Sequence, residues 1–318
     1  MNRPATSHAT TVLYSAPDEE AKPCADALQD VPIEALAVKR SAFRRFASRF
    51  SVLGLIGLTI IVFWLGVAFI GPLVAPYKGG AVTSTEIFGA CSAAHLLGTD
   101  YLGRDMLSRV LYGTQYTVGL ALASAVLASC IGTFIGLVAA VSGRWVDEIL
   151  SRLFDALISI PSKVLALVII AAFGSSVPML IMVAALAYIP GAFRISRSLA
   201  VNLMTLEYVQ VARARGERLL YIARVEVLPN MIHPMLADFG LRFVFIVLLL
   251  SGLSFLGLGV QPPDADWGSL VRENIGGLSE GAPAVLMPAV AIATLTVGVN
   301  LLIDSLRRHG ARAHGGGQ

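Results

Sequence analysis

Six long apolar stretches constrain this chain more than any other feature, at residues 52–70, 116–141, 149–173, 179–195, 232–256 and 282–302. Each approaches or exceeds the about 20 mostly apolar residues that a helix needs to cross a bilayer. Hydrocarbon offers no water to the backbone, so each stretch must satisfy its own hydrogen bonds as a helix. The 318 residues are 56% hydrophobic and only 14% charged, which excludes a soluble domain of this length. The expected fold is an all-α membrane protein with six transmembrane helices.

The basic residues set the orientation. Lys39, Arg40, Arg44, Arg45 and Arg49 precede the first stretch, and Arg307, Arg308 and Arg312 follow the last. Arg144 and Arg152 flank a short turn, and Arg213, Arg215, Arg218 and Arg224 crowd residues 204–230. The positive-inside rule puts these segments and both termini in the cytoplasm, and residues 76–110 and 258–280 outside. Residues 1–38 read as a disordered cytoplasmic tail. Residues 39–50, with Phe43, Phe46 and Phe50 among the bases, read as an amphipathic inner-surface segment or a plain cytoplasmic flank. Residues 51–308 form the transmembrane domain, and 309–318 a Gly-rich flexible tail. The net charge is only +3 and lies beside apolar segments, so it reports topology and no nucleic-acid binding.

Residues 204–230, MTLEYVQVARARGERLLYIARVEVLPN, form the one long arginine-rich interruption in the second half. They read as helix, Gly turn, helix and Pro stop. Thr205 caps the first helix and Glu207 favours its positive end. Gly216 makes the turn and Pro229 ends the second helix.

No lysine follows a glycine, so a phosphate-cradling Gly-Lys-Ser/Thr loop is excluded. His8, His95, His233, His309 and His314 are dispersed without metal-ligand spacing, as are Cys24, Cys91 and Cys130. Cys130 reads as packing. No catalytic residue and no metal ligand is assigned.

Polar residues inside apolar stretches carry functional hypotheses by default. Arg152, Asp155, Ser159 and Lys163 recur every three or four residues, one polar stripe on a straight third helix. Lys163 would stand about 21 Å along it, near mid-membrane. Asp238 and Arg242 form an i, i+4 pair on the fifth helix. These side chains line a path through the membrane, or Asp238 and Arg242 neutralise one another near the inner surface. Gly132 and Gly136 have the small-xxx-small spacing of close helix contacts. Leu102, Met106, Val110 and Leu111 could share one apolar helical face. Trp267 is expected at the outer interface.

Three stretches carry a resemblance. Residues 204–230 resemble the "EAA" coupling loop of ABC importer permeases, with Gln210, Val211 and Ala212 on Glu-Ala-Ala, then Gly216, Glu226, Leu228 and Pro229. HLLGTDYLGRDMLSRVLYGTQYTVG, before the second helix, and SFLGLGVQPPDADWGSL, after the fifth, resemble C-type permease subunits of dipeptide, oligopeptide and nickel importers. The resemblance implies the type I ABC importer permease fold in the bacterial cytoplasmic membrane. It implies coupling to an ATPase through Glu207, Gln210, Val211, Ala212, Arg213, Arg215, Gly216, Leu228 and Pro229. The substrate path, read from the intramembrane polar residues and not from the resemblance, would include Lys163, Ser159, Asp238 and Arg242. The implied partners are a homologous B-type permease, two ABC ATPase subunits and an extracytoplasmic solute-binding protein. This chain would hold no cofactor, with ATP and Mg bound by the partner subunits. The alternative is a stand-alone secondary transporter or channel, which would place internal repeats and broken helices at matching positions.

Overall fold

The computed structural model describes residues 52–315, and the burial of side chains as far as Arg307. The expectations for residues 1–38 and 39–50 lie outside the described residues. The helices are α1 (Val52–Val74), α2 (Met106–Val141), α3 (Arg144–Ile158), α4 (Ser162–Phe173), α5 (Val177–Met204), α6 (Glu207–Ala214), α7 (Leu219–Tyr221), α8 (Leu228–Phe255), α9 (Trp267–Asn274) and α10 (Pro283–Gly315). A π turn (Ile222–Val227) joins α7 to α8, and a 3-10 turn (Ile275–Leu278) follows α9. Five helical segments are long and apolar enough to cross a membrane, and α3 with α4 makes a sixth as a bent pair.

Close helix contact rests on glycine. A Cβ on Gly132 would sit 2.4 Å from the Ala192 Cβ, and one on Gly136 would sit 2.1 Å from the Ser196 Oγ. The small-xxx-small spacing therefore lets α2 and α5 touch along their backbones, and this is the most extensive helix pairing in the molecule. Gly57 of α1 does the same against Gly298 of α10. Helix α8 packs on α2, α5 and α10, and its buried Ile246, Val247, Leu249, Leu250 and Leu253 make much of the main core.

Several boundaries differ from the sequence reading. Helix α2 starts ten residues early, because the Asp105 carboxylate accepts from the Ser108 backbone N–H and caps it at Met106. Met106 and Val110 are buried, but Leu102 precedes the helix and is exposed, so it shares no face with them. At 36 residues and 1.5 Å each, α2 is about 54 Å long and extends beyond an about 30 Å hydrocarbon core. Helix α1 runs through Gly71 and Pro72 to Val74, and α10 continues to Gly315 through most of the expected tail. Cys130, expected in packing, is exposed.

The third span is not straight. It breaks between α3 and α4, which meet at 81°. Pro161 supplies no N–H and disfavours a helical Ile160, so α4 must nucleate afresh at Ser162. The polar stripe expected on one straight helix is divided, with Arg152 and Asp155 on α3 and Lys163 in the first turn of α4.

Trp267 is not an interfacial anchor. It is 0% exposed, its indole N–H donates to the Val110 carbonyl at 3.2 Å, and its ring stacks edge-on against Trp64 at 4.7 Å. Helix α9 puts it there, capped by Asp266, whose side chain accepts from the Ser269 N–H at 2.8 Å.

Candidate functional site

The arginine-rich loop folds on a small core of its own. Val209 and Ala212, one turn apart on α6, are buried with Met204, Ile222, Ala223, Val227 and Met231. Gly216 turns the chain at φ +81°, a conformation that a side chain disfavours. Glu207 stands in the first turn of α6, where a carboxylate suits the helix dipole. Thr205 does not cap α6. It closes α5, its hydroxyl donating to the Asn202 carbonyl at 2.7 Å, while Leu206 occupies the cap position of α6. Gln210 reaches back from α6 and donates to the Met204 carbonyl at 2.8 Å, tying the two helices together.

Pro229 does not stop the second helix. The π turn Ile222–Val227 leads into α8, so Leu219–Phe255 is one helical run with Pro229 near the start of its long arm. A π turn shifts the hydrogen-bond ladder by one residue, which accommodates a proline that neither donates nor leaves room for a normal turn.

The residues that the resemblance assigns to coupling divide into two sets. Glu207, Gln210, Val211, Arg213, Arg215, Gly216 and Pro229 are exposed, Leu228 is half-buried, and Ala212 is buried in the loop's own core. Sequence reasoning missed Leu219, Leu220 and Tyr221, which are exposed beside the arginines, Leu220 by 75%. Three consecutive large apolar residues in a polar loop were the available signal.

Around the broken span, arginine meets nearly every carboxylate. Asp147 pairs with Arg197, Asp155 with Arg194 at 2.8 Å, and Glu148 with Arg152 at 3.5 Å. Asp238 and Arg242 pair with each other and are buried. The Arg242 Nη1 also donates to the Tyr188 carbonyl at 2.7 Å. Tyr188 is the twelfth residue of the 28-residue α5, so this pair stands at mid-height of the bundle and not near its inner end. Ser159 closes α3 at the break, its hydroxyl turned back to the Ala156 carbonyl. Lys163 is exposed, with no ion pair among the described residues.

At the other end, residues 75–105 close over α9 through a buried charge cluster that the sequence reading did not single out. Asp100 accepts from Arg104 Nε at 2.7 Å and Arg109 Nη1 at 2.8 Å, and Glu273 accepts from both arginines. His95 Nδ1 lies 3.0 Å from the Asp105 carboxylate. The i, i+4 spacing of Asp100 and Arg104 was visible, but Glu273 is remote in sequence. Among the described residues there is no cluster of His, Cys, Asp and Glu able to hold a metal ion.

Comparison with known proteins agrees with this architecture. Residues 132–312 match the family described as "Binding-protein-dependent transport system inner membrane component". A peptide transport system permease protein of Brucella suis is 36% identical over 252 residues, which is 79% of this chain and 85% of that protein. A dipeptide transport system permease protein of Alkalihalophilus pseudofirmus is 31% identical, covering 84% of this chain and 88% of that one. A glutathione transport system permease protein of Pectobacterium atrosepticum is also 31% identical, covering 84% and 90%. With its helical spans, the match over more than half the chain and these relatives, the chain belongs to the binding-protein-dependent transport system inner membrane components and is a multi-pass permease of an ABC importer.

Proposed function

We propose that this chain forms half of the translocation path of an importer for peptides or related small solutes, and that loop 204–230 docks on separate ATPase subunits. The observation that carries the coupling role is the loop's construction. Its buried residues hold α6 against the π turn, and they leave Glu207, Val211, Arg213, Arg215 and Leu220 exposed. A rigid knob of this kind moves as a unit. A displacement of its exposed face passes through the π turn directly into α8, which carries Asp238 and Arg242 into the bundle.

The remaining path comes from a homologous B-type permease, and a solute-binding protein delivers the solute to the outer face. ATP and Mg are held by the ATPase partners, and the permease itself makes no covalent bond. Closure of the ATPases on the loop turns the cavity from inward to outward facing. The peptide class rests on the descriptions of the relatives. A stand-alone secondary transporter would have broken helices in both halves, whereas the described residues contain one bent span. Co-expression of the whole system and purification through a tag on this chain tests the reading: both ATPase subunits should co-purify. Recovery of this chain with neither ATPase would contradict it.

A further inference from the structure

Among the described residues, Lys163 at the break in the third span has no counter-charge. Every carboxylate on α3, α4, α5 and α8 is engaged by an arginine: Asp147, Glu148, Asp155 and Asp238. Lys163 has none. Helix α4 has 12 residues, so its start stands about 18 Å from the turn at its far end, well inside an about 30 Å hydrocarbon core. An ammonium group at that depth is costly unless something outside this chain compensates it.

The surroundings of Lys163 are ordered around the break. No side chain caps α4, whose preceding residue is Pro161, so the first N–H groups of the helix point past Lys163 without a side-chain acceptor. Tyr188 connects the break to the bundle. Its hydroxyl donates to the Phe245 carbonyl at 3.2 Å and interacts with the Ser162 side chain, while its own carbonyl accepts from Arg242. The Arg242 Nε is buried and has no hydrogen-bond partner among the described residues. Tyr188 thus links Ser162, the residue before Lys163, to Arg242 across the bundle, and among the described residues the buried carboxylate beside it, Asp238, is already taken by Arg242.

We infer that Lys163 is the carboxylate subsite of the translocation path, the transient counter-ion for the terminal carboxylate of a passing peptide. The inference rests on the reading of this chain as a peptide permease and adds the group recognised and the residue that recognises it. Arg242 acts at one remove, through Tyr188, as a positioning residue. The rival source of a carboxylate is the partner permease. That arrangement would make Lys163 a structural residue, equally needed for every solute.

The test uses the complete importer in proteoliposomes, with the binding protein saturated by a dipeptide or by its C-terminal amide. Lys163→Met should slow uptake of the dipeptide by at least about tenfold, worth about 1.4 kcal/mol, and leave the amide nearly unaffected. Lys163→Arg keeps the charge and should retain dipeptide uptake, and loss of that uptake would overturn the subsite; the comparison of acid with amide is what separates the subsite from a partner ion pair, which arginine would also preserve. Equal slowing of both peptides, no slowing at all, or failure of Lys163→Met to assemble with its partners would overturn the subsite. Uptake of neither peptide by the wild-type importer would overturn the peptide reading itself, and the subsite with it.

Discussion

Arg109 in the first turn of α2 donates one guanidinium nitrogen to two carboxylates, Asp100 at 2.8 Å and Glu273 at 2.7 Å, in a site where its own side chain is 3% exposed. This links the start of the second span to α9, 164 residues further along the chain. Removing one member of a buried ion cluster leaves the others uncompensated, which costs about 3–5 kcal/mol. Arg109→Met should therefore lower the thermal unfolding midpoint of the purified chain markedly, and Glu273→Gln, which keeps an acceptor, less so. Equal midpoints for wild type and Arg109→Met would show that the cluster contributes nothing.

Asp266 gives a pH signature. Burial pushes its carboxyl above the ordinary 3.8, and the hydrogen bonds from Ser254 and Ser269 only partly oppose this. The folded state therefore binds this proton more tightly than the unfolded state. Its contribution to stability is fully present below 3.8 and is lost as pH rises through the raised folded value. Asp266→Asn keeps an acceptor for the Ser269 N–H and should remove this slope. Asp266→Ala should lose the cap as well, about 1 kcal/mol. Parallel pH profiles for wild type and Asp266→Asn would contradict the assignment.

Much of the fold was legible in the residues. Apolar length locates the spans, Gly132 and Gly136 mark a close helix contact without naming its partner, and Gly216 marks its turn, because these depend on local composition or spacing. What was not legible depended on partners remote in sequence. Trp267 looks like an interfacial anchor until α9 turns it against Trp64 and Val110. Pro229 looks like a stop until the π turn absorbs it. Pro161 sits in the middle of an apolar run whose hydrophobicity conceals the bend. Of the site, the arginines of the loop were visible, but the burial of Ala212 required the tertiary core beneath it.

Gly216→Val tests the coupling knob. The residue has φ +81° and no neighbouring atom that would meet a new Cβ, so the cost of a side chain is conformational and local. Membrane insertion should be unchanged, while the yield of co-purified ATPase and solute-stimulated ATP hydrolysis should both fall. Unchanged values of both would separate the turn from coupling.

The orientation is tested by single cysteines in a background without Cys24, Cys91 and Cys130. Asp264 and Arg215 are both exposed and lie on opposite sides in this account. A membrane-impermeant maleimide should label a cysteine at Asp264 in intact cells, and one at Arg215 only after permeabilisation. The reverse pattern would invert the topology.

The most direct measurement is uptake of a labelled dipeptide into proteoliposomes containing this chain, its partner permease, both ATPase subunits and the loaded binding protein. The account predicts uptake that requires ATP and stops when this chain is omitted. Uptake by this chain alone, driven by an ion gradient and indifferent to ATP, would contradict it.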